Sequence, residues 1–306
     1  MLSLAIRLQP MNLVLDLGQS GARVRINGVD SQFNQPKNSA EPIVQTLRRI
    51  FEEIPAQKFE TVYLSLTGLQ GTVPDVAPYG NLCHEFFSAT RVAVMDDGIA
   101  AYDGAIGSRD GVVLTLGSGI VAIAGNHGRF AHADGKGPIF GDYGGGFWIG
   151  KYGLSRAIST LDGRDDATDL VSLLSSELSD YRALADTTGT DAALLCIKSA
   201  KTIIQGAENS VASAALILNE AAHHLARTIN SAWSKTNPSL SDQIHISYLG
   251  GLSQSDFYTD LISTQVKKLL SSAIFIAPEG NHLDGAPRVA EKFPNGMKPL
   301  LDWWQL

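Results

Sequence analysis

The stretch that decides the fold runs from Gly111 to Leu154 and reads GVVLTLGSGIVAIAGNHGRFAHADGKGPIFGDYGGGFWIGKYGL. It starts as an apolar strand, turns at Gly117-Ser118-Gly119, continues as a second strand and ends in a glycine-rich loop around Asp142. Glycine costs backbone entropy and adds no side-chain packing, so this density of glycine indicates that the backbone approaches a ligand closely. Phosphate is the ligand we expect, because bare backbone N–H groups bind anions well.

Length and composition predict a two-domain globular protein. The chain has 306 residues, of which 44% are hydrophobic and 18% charged. A net charge of −7, with no basic run longer than a pair, argues against a nucleic-acid partner. No apolar run approaches the roughly 20 residues of a transmembrane helix, so we expect no membrane partner and, by elimination, a cytoplasmic location. Cys83 and Cys196 lack metal-site spacing and are expected to be buried free thiols.

The order of strands and helices predicts an α/β architecture with two five-stranded sheets. Residues 12–17 and 22–27 form a strand–turn–strand unit, and residues 112–116 and 120–125 repeat it. This repetition indicates duplicated domains. Further strands are predicted at 61–66, 91–95, 243–249 and 273–276, and helices at 42–53, 80–89, 98–106, about 203–235, 256–270 and 285–293.

Two nucleotide-binding motifs match the glycine-rich stretch only formally. Residues 145–151 match a Walker A loop, but Tyr152 stands where a Ser or Thr hydroxyl would have to hold magnesium. The segment that begins at Gly117 satisfies GxGxx(G/A), yet a strand-like sequence follows it where a dinucleotide fold needs a helix. Asp134, the candidate ribose ligand, is expected in a Gly/His-rich loop and not at a strand end. Neither a P-loop nor a Rossmann fold is therefore predicted.

Three separated turns make a third hypothesis for nucleotide binding. They are Asp16-Leu17-Gly18-Gln19-Ser20, Gly117-Ser118-Gly119 and Gly250-Gly251. Two hairpin turns that face each other across an interdomain cleft could hold the β- and γ-phosphates of ATP, and the Gly-Gly turn would offer the adenosine a flat surface. Asp16 is placed to reach Mg²⁺ directly or through water.

The order and spacing of these elements resemble the sugar-kinase/actin/Hsp70 ATPase superfamily. Within it, the chain is most similar to the N-acetylglucosamine kinase branch of the BadF/BadG/BcrA/BcrD group. The resemblance rests on LDLGQS near the start, MDDGIAA at 95–101, GVVLTLGSGIVAI at 111–123 and GPIFGDYGGGFWIGKYGL at 137–154. It implies a two-domain actin-like (ribonuclease H-like) fold with an interdomain cleft. The first domain would contain residues 1–111 plus 287–306, and the second would contain residues 112–286.

The same resemblance implies phosphorylation of a hexose hydroxyl by ATP with Mg²⁺, with N-acetylglucosamine or glucosamine as the expected sugar. Asp97 matches the family's catalytic base, which takes the proton of a poorly nucleophilic hydroxyl. A carboxylate at this point can also cap the following helix, and we favour that role for Asp96. Four residues match the sugar pocket, namely Thr67, Gly68, Asp142 and Tyr143.

Departures from the family pattern keep two alternatives open. Tyr143 replaces the usual Glu, Asp96 replaces the usual Asn, and Leu17 and Gln19 stand where the family commonly has Gly. The chain could be a sugar-binding homologue without activity, or an ATPase activator like other members of the group. Those activators carry cysteines for an iron–sulfur cluster, and this chain shows no such motif. The expected ligands are a sugar and ATP, and a homodimer is the assembly we consider.

Overall fold

The computed structural model describes residues 11–18, 21–34, 41–69 and 71–306. Its strands are β1 (Asn12–Leu17), β2 (Ala22–Ile26), β3 (Val29–Phe33), β4 (Thr61–Leu66), β5 (Arg91–Asp96), β6 (Gly111–Leu116), β7 (Ile120–Asn126), β8 (Arg129–Asp134), β9 (Ile244–Leu249), β10 (Ala273–Phe275) and β11 (Leu301–Gln305). Its α-helices are α1 (Ile43–Glu53), α2 (Ala77–Phe87), α3 (Asp97–Ile106), α4 (Gly137–Phe140), α5 (Gly146–Leu161), α6 (Thr168–Leu173), α7 (Gly189–Glu208), α8 (Ala212–Lys235), α9 (Asp256–Leu269) and α10 (His282–Lys292). Short 3₁₀ helices cover Ala183–Asp186 and Gly251–Gln254.

The chain forms two compact units. It passes from the first unit to the second between residues 107 and 108, and it returns to the first between residues 278 and 279. The sequence suggested domain boundaries at 111/112 and 286/287, and the second boundary would divide α10. The first turns of α10 belong with the first unit because they pack backbone to backbone on α3. A Cβ atom on Gly285 would lie 2.0 Å from the carbonyl oxygen of Ala100, so only glycine permits this approach.

Each unit is built on one sheet, and five strands follow the same order in both. The first sheet has the order β11-β5-β4-β1-β2-β3, and the second has the order β10-β9-β6-β7-β8. In each, three parallel strands are extended by two antiparallel ones. This shared order confirms the predicted duplication. The expectation of five strands in each sheet was wrong for the first unit, because β11 pairs with β5 as a sixth strand.

Two further expectations about local structure need correction, and one strand was missed. Asp134 does lie at a strand end, because β8 pairs with β7 and places Asp134 opposite Val121. The edge strand β3 was not predicted, since four of its five side chains are exposed and show no apolar pattern. The single helix expected at 203–235 is two helices, α7 and α8, separated where Ser210 adopts a left-handed backbone with φ of 65°.

The central strands are buried because helices cover the sheets. Every residue of β4 is buried, as is typical of a parallel strand covered on both faces. Separate hydrophobic clusters fill the two units. Cys83 and Cys196 are buried free thiols, as predicted. Among the helices that the structure describes, none has the length and apolar character needed to cross a membrane.

Candidate functional site

In the first unit, the carboxyl ends of three neighbouring parallel strands meet at one edge of the sheet. Residue pairing aligns Leu17 of β1 with Leu66 of β4, and Leu66 with Asp96 of β5. Asp16, Thr67 and Asp97 therefore lie at the same edge. In open α/β sheets this edge is where ligands bind.

Asp97 is the first residue of α3, and the pKa of its carboxyl group is raised. Burial raises its pKa to about 7, and repulsion from Asp96 and Asp16 adds to the rise. Hydrogen bonds from the Thr67 side chain and the Gly98 N–H act in the opposite direction. A carboxylate with a pKa near 7 can accept a proton and release it again near neutral pH.

Asp96 is the N-cap of α3, the role that the sequence favoured. One carboxylate oxygen accepts a hydrogen bond from the Gly98 N–H at 3.0 Å, and the other accepts one from the Gly71 N–H at 2.8 Å. The second bond ties down the loop after β4, which contains Thr67 and Gly68. Gly68 has a φ of 81°, a left-handed conformation that favours glycine.

Asp16 is buried and already accepts hydrogen bonds at both carboxylate oxygens. Ser65 Oγ donates to Oδ1 at 2.8 Å, and Arg23 Nη2 donates to Oδ2 at 2.6 Å. In the described part of the chain, no three His, Cys, Asp or Glu side chains form a metal-binding group. Mg²⁺ commonly uses one or two carboxylates together with phosphates and waters, and each Asp16 oxygen keeps a lone pair. The residues therefore fit Mg²⁺ held through water.

The predicted phosphate turn of the first unit is described only in part. The Gly18 N–H donates to the Gly21 carbonyl oxygen at 2.9 Å and so closes the turn. Gln19 and Ser20, which the sequence also assigned to ATP, lie outside the described residues.

In the second unit, the Gly117-Ser118-Gly119 turn is tied to the start of α5. The carbonyl oxygens of Gly117 and Ser118 accept hydrogen bonds from the N–H groups of Gly146 and Phe147 at 2.8 and 3.0 Å. The N–H groups of Ser118 and Gly119 make no hydrogen bond with any residue that the structure describes. This leaves two backbone donors available to an anion.

Asp142 packs directly on the same turn. Its Oδ1 accepts the Ile120 N–H at 3.1 Å, and a Cβ on Gly119 would lie 2.7 Å from its Oδ2. Burial raises the pKa of Asp142, as does nearby Asp134, while the Ile120 hydrogen bond lowers it. The sequence treated the turn and the Asp142 loop as two separate pieces, and the structure joins them. The carboxylate oxygens of Asp142 can accept a hydrogen bond from a hydroxyl group.

Tyr143 belongs to an aromatic cluster beside Asp142, which we define as Tyr143, Trp148, Tyr152 and His224. The Tyr143 ring lies 5.1 Å from the His224 ring and 6.3 Å from the Trp148 ring, and Trp148 lies 5.0 Å from Tyr152. Tyr143 remains 42% exposed. Burial lowers the pKa of His224, so its ring favours the neutral form. Nothing in the local sequence signals the contact of His224 with Tyr143 and Trp148, because these residues are distant in the chain.

The Gly250-Gly251 turn lies beside the phosphate turn of the second unit. Gly250 has a φ of 105°, and a Cβ there would lie 2.5 Å from the carbonyl oxygen of Leu116, the last residue of β6. Gly251 has open space around it. The structure therefore brings together the predicted residues of this unit, namely Gly117, Ser118, Gly119, Asp142, Tyr143, Gly250 and Gly251.

Sequence reasoning missed three polar residues at the edge of the first sheet. Ser65 and Arg23 both contact Asp16, and His282 contacts Arg23. The strand period of β2 places Arg23 and Arg25 on one face. It could not show that His282, from the distant helix α10, lies against that face.

Comparison with known proteins agrees with this architecture. Residues 15–283 match the model of the BadF/BadG/BcrA/BcrD ATPase family. An N-acetylmuramic acid/N-acetylglucosamine kinase from Clostridium acetobutylicum is 25% identical in an alignment of 171 residues that covers 51% of this chain. The match spans only 56% of that relative's length.

Solved structures share the fold. A candidate N-acetylglucosamine kinase from Chromobacterium violaceum superposes with a TM-score of 0.67 at 20% identity, covering 90% of this chain and 97% of its own. A ROK-family glucokinase from Streptomyces griseus, in complex with glucose and AMPPNP, gives 0.60 at 17% identity, covering 92% and 99%. The chain is thus a member of the BadF/BadG/BcrA/BcrD ATPase family with the two-domain actin-like fold of sugar kinases.

Proposed function

We propose that this protein is an ATP-dependent kinase that phosphorylates a hexose hydroxyl, with N-acetylglucosamine or glucosamine as the substrate. The observation that carries the proposal is the Asp97 carboxyl group, whose pKa is raised to about 7 at the carboxyl edge of a parallel sheet. Membership of an ATPase family and similarity to sugar kinases support it.

In the proposed reaction Asp97 is the general base. The sugar hydroxyl oxygen attacks the γ-phosphorus of ATP, and the bond from that phosphorus to the β,γ-bridging oxygen breaks, which releases ADP. The hydroxyl proton passes to a carboxylate oxygen of Asp97. Such transfers depend mainly on positioning and charge neutralisation, so few reactive side chains are needed.

The nucleotide phosphates are assigned to the two glycine turns. In the second unit, the N–H groups of Ser118 and Gly119, which have no hydrogen-bond partner among the described residues, support this role, and Gly250 and Gly251 are assigned to the adenosine. In the first unit the assignment falls on the turn that begins at Gly18. Mg²⁺, held through water by Asp16, would supply charge neutralisation to the phosphates when it is bound.

The sugar is assigned to side chains that can orient hydroxyl groups. In the second unit, Asp142 offers carboxylate oxygens that accept from sugar hydroxyls in strong, directional hydrogen bonds. Tyr143 adds an exposed ring suited to the apolar face of a pyranose. In the first unit the assignment falls on Thr67 and Gly68.

A coupled ADP-release assay over a panel of sugars tests the proposal. The panel contains N-acetylglucosamine, glucosamine, N-acetylmuramic acid, N-acetylmannosamine and glucose. We expect ADP release that depends on at least one amino sugar. Absence of sugar-stimulated turnover with every member would contradict the kinase. Sugar binding without turnover, measured by calorimetry, would identify an inactive sugar-binding homologue instead.

A further inference from the structure

The Asp142 loop, residues 141–145, has an unusual backbone conformation. Asp142 adopts a φ of 59°, and Gly144 adopts a φ of 91°. The left-handed region is uncommon for a residue other than glycine, and it persists where surrounding contacts hold the backbone in place. The contacts around this loop therefore decide where the Asp142 carboxylate lies.

Hydrogen bonds fix the backbone on both sides of Asp142. Its N–H donates to Oδ1 of Asp134 at 2.8 Å. Its carbonyl oxygen accepts the Gly145 N–H at 2.9 Å, and this bond closes a turn. Gly144 lies inside the turn and packs on α8, where a Cβ on Gly144 would lie 2.7 Å from the side chain of Leu225. Helix α8 thus supports one side of the loop by close packing.

Helix α9 supports the same loop through one buried hydroxyl group. Tyr258 Oη donates to the Gly144 carbonyl oxygen at 2.7 Å. No other described residue makes a hydrogen bond to this oxygen. Tyr258 is fully buried, and burial raises the pKa of its hydroxyl, which therefore stays protonated and acts as the donor. Removing this hydroxyl would leave the buried Gly144 carbonyl oxygen without a partner among the described residues.

We propose that Tyr258 is a positioning residue that holds the loop carrying Asp142 and Tyr143 in its sugar-binding conformation. A fully buried side chain does not reach the sugar, so Tyr258 acts through the Gly144 carbonyl oxygen. The backbone of Tyr258 is itself fixed, because its N–H donates at 3.2 Å to Oγ of Ser255, the N-cap of α9. This inference rests on the proposed assignment of the loop to the sugar.

Tyr258→Phe tests the proposal, because it removes the hydroxyl oxygen and keeps the buried ring. We expect the Kd and the KM for the sugar to rise by about three- to tenfold, since the loop loses one of the contacts that fix Asp142. The Kd for AMPPNP and the kcat at saturating sugar should stay within about twofold of the wild type, because the groups assigned to the nucleotide and to proton transfer are unchanged. Calorimetry and steady-state kinetics with the best sugar of the panel measure these quantities.

Tyr248→Phe is the matched control. Tyr248 Oη lies 3.1 Å from Oγ of Ser263 on α9, so this variant also removes a tyrosine hydroxyl from a hydrogen bond at the same helix. That bond does not involve the Asp142 loop. Both variants should lower the melting temperature slightly, but Tyr248→Phe should bind the sugar as the wild type does. Sugar affinity therefore separates positioning from a general loss of stability.

Amide hydrogen exchange measures the order of the loop directly. The Gly145 N–H closes the turn, so it should exchange faster in Tyr258→Phe than in the wild type or in Tyr248→Phe. A double-mutant cycle gives a further check on the route of the effect. Tyr258→Phe should weaken sugar binding less in an Asp142→Asn background than alone, because part of its effect passes through that carboxylate.

The possible failures are distinguishable. If the wild type phosphorylates a sugar and Tyr258→Phe matches it in sugar affinity or in exchange at Gly145, the positioning role is wrong and the kinase proposal stands. Equal losses of sugar and AMPPNP affinity in Tyr258→Phe would also overturn the positioning role. If the wild type neither binds nor phosphorylates any sugar of the panel, the proposed function falls and this inference falls with it.

Discussion

The two units share a strand order, but different groups lie at the ends of their hairpins: side chains in the first unit and backbone groups in the second. In the first unit, side chains occupy the edge of the sheet. Asp16 is hydrogen-bonded to Ser65 and Arg23, and the pKa of Asp97 is raised to about 7. In the second unit, the corresponding turn is almost pure backbone, and hydrogen bonds from Gly146 and Phe147 fix it to α5. The two sheets are similar, but the edge of the first is suited to proton transfer and the edge of the second is suited to binding an anion.

This difference predicts how the two edges respond to mutation. Substitutions in the first unit should change chemistry and charge while leaving the fold intact, because the functional groups are side chains. Substitutions in the second unit should act through shape at the positions where an added side chain meets packed atoms, as at Gly119 beside Asp142 and at Gly250 beside Leu116.

The largest effect is expected from Asp97→Asn. Removing a general base should reduce kcat by at least about 100-fold while sugar and AMPPNP affinities stay within a few fold. Steady-state kinetics and calorimetry measure the two quantities. Asp96→Asn is the matched control, since Asn also caps helices well and we expect it to keep most of the activity. Equal losses of activity in Asp97→Asn and Asp96→Asn would contradict the assignment of Asp97 as the base and Asp96 as the helix cap.

A second test compares two glycines of one turn. Gly119→Ala adds a Cβ 2.7 Å from Asp142 Oδ2, whereas Gly117→Ala meets its nearest atom at 3.8 Å. We expect Gly119→Ala to lower the free energy of unfolding by about 1–3 kcal/mol and to raise the KM for sugar, because Asp142 must move. Gly117→Ala should stay close to wild type in stability. Urea denaturation and sugar kinetics measure both, and similar behaviour of the two variants would argue against the Asp142–Gly119 contact.

A smaller effect is expected at the aromatic cluster. Tyr143→Ala should raise the KM for sugar by roughly three- to tenfold, with little change in the KM for ATP, because the exposed ring is lost from beside Asp142. Phe140→Ala provides a control, since Phe140 is nearby in sequence and 82% exposed. A rise in KM for ATP alone would move Tyr143 from the sugar to the nucleotide.

A stability change that depends on pH is also expected at Asp97. The pKa of Asp97 is raised from 3.8 to about 7, so the folded state holds this proton more tightly than the unfolded chain. The stabilisation by Asp97 is therefore complete below pH 3.8 and is lost as the pH rises through about 7. Asp97→Asn should unfold at higher urea concentration than the wild type at pH 8, and the difference should shrink as the pH falls toward 3.8. Identical differences at both pH values would argue against the raised pKa.

The sequence predicted those elements whose side chains show an apolar pattern. The bounds of β1 and β4 were obtained without error because apolar runs end at clear polar or glycine signals. The edge strands β3 and β11 carry polar or aromatic side chains in no clear alternation, so their pairing partners decide their structure. The break between α7 and α8 was missed because apolar residues at helical spacing resume shortly after the polar Glu208-Asn209-Ser210 segment.

At the candidate site, local motifs located the turns and the paired aspartates but not their contacts. The N-cap role of Asp96 follows from its position before α3, and the structure shows it. The packing of Asp142 on Gly119 and the approach of His282 to Arg23 join residues that are distant in the chain. Such contacts depend on how the elements pack, which one sequence does not reveal.

The most direct test of the account measures both products of one reaction. Wild-type protein and Asp97→Asn are incubated with ATP, Mg²⁺ and the best sugar of the panel, and ADP and sugar phosphate are quantified together. The account predicts equal amounts of the two products from the wild type and at least about 100-fold slower formation of both from Asp97→Asn, although the variant still binds the sugar. Release of ADP without sugar phosphate, or sugar phosphate from Asp97→Asn at the wild-type rate, would contradict it.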